Sequence, residues 1–369
     1  MKILVTGSNG FIGKNLTAEL RNQKYKDILE HNKGTEKALL DEYCKQADFV
    51  FHLAGVNRPK EQSEFMEGNF GLTSRLIESL NKYHNNCPIM MASSIQAALD
   101  NPYGRSKKAA ENLLFLHGRE TGAEVIIYRF PNIFGKWCRP DYNSVIATFC
   151  YNIANDMPVK VNDPDLVMKL VYIDDVVHEL IRALNGKYNE TGDYCEVPVS
   201  YFVKLGEILD LIKSFKESRR NLNIPDISDE FTKKLYSTYL SYLPQDQFSY
   251  SLKMNTDSRG SFTEFIKTKS RGQISVNILK PGITKGNHWH HTKNEKFLVV
   301  SGKGLVRFRK LGSEDIIEYH LSGDRLEVVD IPTGYTHNIE NIGEADLVTV
   351  MWANEPFDPE KPDTFFLEV

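Results

Sequence analysis

Short, nearly continuous apolar runs at Ile3–Thr6, Phe49–Ala54, Ile89–Ser93 and Val125–Phe130 punctuate the first half of the chain. Runs of this length predict strands buried on both faces. Between them, Leu72–Tyr83 and Ser106–Gly118 repeat their apolar residues with a helical period. Alternating strands and helices predict a doubly wound α/β domain built on a parallel sheet. Strand signals thin out beyond Asp174, and residues 200–242 read as helical. Near Leu243-Pro244-Gln245 the pattern changes. From there, the short segments Gln273–Leu279, Lys296–Val300, Gly304–Arg309, Ile316–His320, Arg325–Ile331 and Ala345–Trp352 are separated by Gly, Pro, Asn and Asp turns. That spacing predicts an antiparallel sandwich or barrel. Two domains are expected, 1–245 and 246–369.

Composition narrows the class. Of the 369 residues, 41% are hydrophobic and 25% charged, the balance of a globular protein with ample core. Lys plus Arg number 45 against 49 Asp plus Glu, a formal net charge of -4. That balance excludes a broadly basic nucleic-acid binder and an acidic disordered chain. No apolar run approaches the roughly 18 residues of a membrane span. Lys2-Ile3-Leu4-Val5 leads straight into a glycine turn, so no signal peptide is expected. The cysteines Cys44, Cys87, Cys138, Cys150 and Cys195 are odd in number and scattered. They suit neither a disulfide framework nor a CxxC metal site, and a cytoplasmic setting is expected.

The first candidate chemistry follows the first strand. Gly7-Ser8-Asn9-Gly10-Phe11-Ile12-Gly13 runs from that strand into a helix. Glycines there let the backbone turn tightly and approach a pyrophosphate, whose charge sits on the helix N-terminus. A dinucleotide site is therefore expected at Gly7, Asn9, Gly10, Phe11, Ile12 and Gly13. The segment Asp27–Lys33 offers Glu30 but no clean ribose-binding Asp, and it places the cation Lys33 nearby. The lean is to NADPH over NADH.

Tyr103-Gly104-Arg105-Ser106-Lys107 sets a phenol and an ammonium four residues apart, on one face of a helix. Lys107 is expected to lower the phenol pKa and make Tyr103 a general acid near neutral pH. Ser94 closes a predicted strand, where a site at the carboxyl edge of the sheet needs a hydroxyl. A Tyr and Lys at this spacing is usually a plain surface pair. Together with the glycine turn they make a specific set.

Over roughly residues 1–242 the chain resembles the extended short-chain dehydrogenase/reductases, a Rossmann-type family. The resemblance rests on the glycine turn, His52-Leu53-Ala54-Gly55, Asn69, Ser94, Tyr103 with Lys107, Arg129–Gly135 and Val171–Asp175. It implies Tyr103 as proton donor or acceptor, Lys107 on the cofactor ribose and Ser94 on the substrate oxygen. It further implies cofactor contacts at Leu53, Ala54, Gly55 and Asn69, and Asn132 near the nicotinamide or a sugar nucleotide. The sugar 4,6-dehydratases of this family carry an Asp-Glu pair after the active-site hydroxyl. Ile95-Gln96 stands there instead, so dehydration is not expected.

Five of the ten histidines fall between His288 and His337. The run Gly282-x5-His288-Trp289-His290-x4-Glu295-x6-Gly302 is followed by Pro332-Thr333-Gly334-x2-His337-x3-Asn341. Two His one residue apart on a strand point to one side. With Glu295 and His337 they can close a three-His, one-carboxylate shell for Zn, Mn, Fe or Ni. His291 is the substitute ligand.

These runs resemble the two motifs of the cupin family over about 247–369, although Leu326 stands where the second motif opens with Gly. The resemblance implies a double-stranded β-helix, or jelly-roll, barrel with one divalent metal, Zn2+ by preference. Asp257–Glu264 also resembles the opening motif of the dTDP-4-keto-6-deoxysugar 3,5-epimerases. That implies Arg259 and Glu264 on the nucleotide sugar, Lys285 on its diphosphate and a base at His288. The complete metal motif favours His288 as ligand, which leaves Tyr335, Lys285 and His291 as candidate bases.

In domain order the whole chain resembles the bifunctional UDP-sugar epimerase/reductases of capsular polysaccharide synthesis. The resemblance implies a UDP-linked 4-keto-6-deoxy-N-acetylhexosamine, inverted at C3 in the barrel and reduced at C4 by NADPH in the first domain. It also implies a homodimer, with no nucleic acid and no membrane insertion. The competing expectation is a C4 reductase whose second domain only binds or senses the sugar nucleotide.

Overall fold

Alternation within β1 (Lys2–Thr6) decides the layering of the first half. Ile3 and Val5 enter a core shared with Leu16, Leu20, Val176 and Leu180, whereas Leu4 joins a second core with Leu40, Leu76, Leu80 and Leu114. A strand buried on both faces needs helices on both. The computed structural model describes every residue except Lys269, Ser270, Phe357 and Lys361, together with the side chain of Lys37. The chain divides into two units, Met1–Lys213 with Asp229–Pro244, and Ser214–Ser228 with Gln245–Val369.

In the first unit, α1 (Phe11–Asn22), β2 (Asp27–His31), α2 (Lys37–Gln46) and β3 (Phe49–His52) follow β1. A short α3 (Ser63–Phe65) runs through a π-helical stretch, Met66–Gly71, into α4 (Leu72–Lys82). Then come β4 (Ile89–Ser94), α5 (Pro102–Thr121), β5 (Val125–Phe130), β6 (Asn132–Phe134), α6 (Val145–Ala154), β7 (Val167–Tyr172) and α7 (Ile173–Leu184). Short strands β8 (Glu190–Thr191), β9 (Tyr194–Cys195) and β10 (Tyr201–Lys204) precede α8 (Leu205–Asn221), whose residues from Ser214 onward are assigned to the second unit, and α9 (Glu230–Leu240).

The main sheet has the order β2-β1-β3-β4-β5-β9-β8, parallel except for β8. Its order reverses between β1 and β3, and a doubly wound sheet opens a crevice at that point. A small sheet, β10-β7-β6, stands apart. Residues 200–242 are therefore not wholly helical. Tyr201–Lys204 is extended because it pairs antiparallel with Val167–Leu170, a tertiary contact that overrides local periodicity.

The second unit is all β, apart from its short N-terminal pieces. A six-stranded sheet comprises β11 (Met254–Asp257), β12 (Gly260–Thr268), β13 (Gly272–Leu279), β15 (Glu295–Ser301), β18 (Val328–Ile331) and β20 (Leu347–Ala353). A five-stranded sheet comprises β14 (Thr284–Trp289), β16 (Lys303–Lys310), β17 (Ile316–Ser322), β19 (Tyr335–Asn341) and β21 (Phe365–Phe366). Both sheets contribute to one core, in which Phe297, Val299 and Val329 meet Val306, Phe308, Leu321 and Ile339. Ser214–Ser228 belongs here because Ile224 N–H donates to the Lys267 carbonyl and Lys267 N–H to that of Leu222. The run expected at Arg325–Ile331 is strand only from Val328. Ser322 and Arg325 pair across a tight turn before it.

Candidate cofactor cleft and metal centre

The crevice of the first unit is a cleft of about 1160 Å³. Gly7, Asn9 and Gly10 line its floor, Lys33 and Thr35 one wall, and Leu53, Ala54 and Gly55 the other. Gly7 adopts φ +73°, and a Cβ there would stand 2.8 Å from the Ala54 backbone. Only glycine lets these two loops meet. Gly10 caps α1 without a side-chain hydrogen bond, so the first-turn N–H groups present an uncapped positive end. Asn32 braces the loop, accepting from Asn9 N–H at 2.8 Å and donating to Ser8 Oγ at 2.8 Å.

Some expected contacts fall elsewhere. Phe11 and Ile12 pack their side chains on the core, and Gly13 is buried beneath the loop. Their side chains do not line the cleft, which leaves backbone N–H groups as their means of contact. Glu30 is turned away to Arg21. Asn69, in the π-helical stretch, is buried and does not line the cleft. It accepts from Val56 N–H and donates to the Val56 carbonyl and to Ser106 Oγ, so it positions the loop after β3. Arg75, on α4, lines the cleft with no ion-pair partner among the described residues. Sequence reading missed it because one Arg on an amphipathic helix carries no signal.

Ser94, at the end of β4, caps the next turn by accepting Gln96 N–H at 3.2 Å. Its hydroxyl is also hydrogen-bonded to Tyr103, near the start of α5. One turn further on, Lys107 Nζ donates to the Ala92 carbonyl at 2.9 Å. A Cβ on Gly55 would lie 3.0 Å from that ammonium, which places Lys107 behind the cleft wall. Burial lowers Lys107 to about 8, against a small opposing effect of Glu111. The expected lowering of the phenol is not found. Burial pushes Tyr103 up to about 12, and the Ser94 hydrogen bond offsets only part of that. The phenol is thereby kept protonated, a donor rather than a phenolate. Asn132 is exposed on β6. Behind the set, buried Glu111 binds Ser93 Oγ and both arms of Arg129, fixing the ends of β4 and β5.

The second unit gathers His288, His290, Glu295 and His337, with ligand atoms within 4.8 Å of one another. His288 and His337 face each other across β14 and β19, while Glu295 opens β15 in the other sheet. A bulge between Gly286 and His288, with Asn287 at φ 57°, turns His288 inward. Gly286 itself has φ +109°, and a Cβ would meet Asn338 Cα at 2.8 Å.

Glu295 Oε1 is held by Lys293 Nζ at 3.3 Å, leaving Oε2 at 3.6 Å from His290 Nε2 and 3.4 Å from His337 Nε2. His290 Nδ1 is hydrogen-bonded to the Asp363 carbonyl, which can only accept. Nδ1 therefore donates, and the ring directs Nε2 toward a carboxylate oxygen. His290 Nε2, Glu295 Oε2 and both His337 ring nitrogens are buried without hydrogen-bond partners. Burial pushes His288 down to about 4, so its imidazole is neutral near pH 7.

Buried ligand atoms that converge without hydrogen-bond partners fit a cation. Tetrahedral zinc at about 2.1 Å separates its ligand atoms by about 3.4 Å, close to the two edges at Glu295. His291 lies outside the cluster, packed on Trp289 and Phe365.

The expected nucleotide-sugar residues lie along β12 and β14. Arg259, exposed in the β11–β12 hairpin, pairs with Asp257. Lys285 donates to Asn277 Oδ1 at 3.0 Å and feels the charges of Asp257 and Arg259. Glu264 sits opposite Ser275 and pairs with Lys267 at 2.9 Å. Tyr335 is half-buried at the start of β19.

Residues 3–194 match the NAD dependent epimerase/dehydratase family, and residues 255–365 match the polysaccharide biosynthesis C-terminal domain. A UDP-2-acetamido-2,6-beta-L-arabino-hexul-4-ose reductase of Pseudomonas aeruginosa is 43% identical over 369 residues, 100% of this chain and 99% of that one. The crystal structure of the capsular polysaccharide assembling protein CapF from Staphylococcus aureus superposes with TM-score 0.95 at 55% identity, covering 100% of both chains. A CapF structure with the inhibitor 3-isopropenyl-tropolone gives TM-score 0.91 at 51% identity, again over 100% of both chains.

Proposed function

The chain belongs to the NAD-dependent epimerase/dehydratase family, and on that premise we propose that it is a bifunctional nucleotide-sugar enzyme of capsular polysaccharide synthesis. Its second unit, read as a cupin, inverts C3 of a UDP-linked 4-keto-6-deoxy-N-acetylhexosamine. Its first unit then reduces the C4 ketone, giving UDP-2-acetamido-2,6-dideoxy-L-talose, a precursor of N-acetyl-L-fucosamine. The observation that carries the reading is the hydrogen-bonded Ser94–Tyr103 pair, with Lys107 beside a cleft floored by the glycine turn.

The cleft residues fit a nicotinamide dinucleotide, with the uncapped start of α1 for pyrophosphate and Lys33 and Arg75 for a 2′-phosphate. NADPH held there supplies hydride to C4. Ser94 orients the ketone oxygen through its hydroxyl. Tyr103, protonated at neutral pH, donates its phenolic proton to that oxygen, and Lys107 supplies positive charge beside the reacting centre.

In the second unit His288, His290, Glu295 and His337 hold the metal, Zn2+ by preference, which supplies Lewis-acid polarisation of the C4 carbonyl when bound. Lys285, Arg259 and Glu264 take the nucleotide sugar. The order of steps follows from chemistry, since the C3 proton is acidic only while C4 is a ketone. A homodimer belongs to the same reading. Ile316, Ile317 and Tyr319 leave apolar surface on the edge strand β17, and sedimentation tests the assembly.

NADPH consumption on the UDP-4-keto sugar, with the product identified by NMR, tests the reading. A product with talo configuration is expected. Consumption yielding only the C3-unchanged alcohol would reduce the protein to a ketoreductase.

A further inference from the structure

Asp363, near the end of the chain, touches the metal cluster in two ways. Its carbonyl receives the His290 Nδ1 proton. Its carboxylate accepts the backbone N–H groups of His291, Thr292 and Lys293 at 2.9, 2.7 and 2.8 Å, and the Thr292 hydroxyl at 3.0 Å. Those three residues lie in the four-residue loop that joins His290 to Glu295. The loop also carries Lys293, whose ammonium holds Glu295 Oε1 and so presents Oε2 to the histidines.

The rest of the tail is laced to the same strands. Phe366 pairs with His288 and Phe365 with Trp289. Leu367 N–H donates to the carbonyl of Asn287, the bulge residue, and Thr336 Oγ1 donates to the Leu367 carbonyl. All four ligands thus neighbour tail contacts: His288 by strand pairing, His290 by its ring, Glu295 through Lys293, and His337 through adjacent Thr336.

Resting on the metal-centre reading above, we propose that the C-terminal strap, through Asp363, positions the metal ligands and sets the affinity of the site. The carbonyl fixes the tautomer of His290, leaving Nε2 free to ligate, and the carboxylate fixes the loop that sets the His290–Glu295 separation. Partners of this kind typically change metal affinity by about 10–100-fold. Asp363 acts through His290 and Lys293 and is a positioning residue.

The experiment is Zn2+ competition against a chromophoric chelator on the full-length protein, with wild type, Asp363→Asn and Asp363→Ala. Asp363→Asn keeps one acceptor oxygen and the side-chain shape, and serves if the alanine variant fails to fold. The expected result is about 10-fold weaker Zn2+ binding for Asp363→Asn and up to about 100-fold for Asp363→Ala. The visible spectrum of the Co2+-loaded variants should change as His290 is released. A purely structural tail would lower the melting temperature of the metal-free protein while leaving both readouts at wild-type values, and that result overturns the proposal. Failure of the wild type to bind Zn2+ would overturn the metal-centre reading itself, and the positioning role with it.

Discussion

If the proposed cofactor is NADPH, Arg75 is a specificity residue that the linear sequence hides. It and Lys33 face the cleft near His31, whose pKa is lowered by burial and then by the Arg75 charge. Arg75→Ala should raise KM for NADPH about tenfold and leave KM for NADH nearly unchanged, as steady-state kinetics with both cofactors would show. Lys107 predicts a pH effect. Its ammonium, lowered to about 8 by burial, is charged below that value and neutral above it. The free-enzyme kcat/KM for ketone reduction should therefore fall above about pH 8, while Tyr103, at about 12, stays protonated throughout. A flat profile to pH 10 would contradict this.

His52 gives a stability effect of known sign. Its ring is hydrogen-bonded to Thr6 Oγ1 and Thr73 Oγ1, and burial, aided by the charges of Lys107 and His31, lowers it to about 3. The unfolded chain takes up this proton below about 6.5 and the fold does not, so stability is full above that pH and lost as pH falls toward 3. Between pH 7.5 and 5 the first unit should lose about 2 kcal/mol from this residue. His52→Gln should flatten that part of the slope in urea unfolding.

At the scale of elements, strands that bury apolar residues were legible, and β14, which carries His288, was not. The runs at β1, β3, β4 and β5 announce themselves by continuous apolar residues. By contrast β14 reads Thr-Lys-Gly-Asn-His-Trp, and no alternation marks it as a strand. Its motif spacing was visible, but the bulge that aims His288 inward was not, because it depends on pairing with β19. Gly286→Ala tests that device. The left-handed backbone and the contact with Asn338 should cost about 2 kcal/mol in the stability of the second unit and weaken metal binding with it. Asn69 shows the opposite limit. Its position in the motif was legible, but its use as a brace between Val56 and Ser106 needs the fold.

Across the whole molecule, the proposed function assigns the two sites consecutive operations on one intermediate, each lodged in its own unit. The glycine turn, the Tyr103/Lys107 pair and the histidine spacing were legible because each is a local pattern of chemically distinctive residues. Arg75, Lys293 and Asp363 were not, since each serves a site built from residues distant in sequence. If the sites are separate, Tyr103→Phe should abolish NADPH oxidation and leave C3 proton exchange intact. Loss of both in a folded variant would argue for a single shared centre.

The most direct test is proton NMR of the UDP-4-keto sugar in deuterated buffer, with enzyme and without NADPH. Deuterium is expected at C3, and that exchange should be lost when the metal is stripped. No exchange at C3 while added NADPH is still consumed would contradict an epimerase acting before reduction.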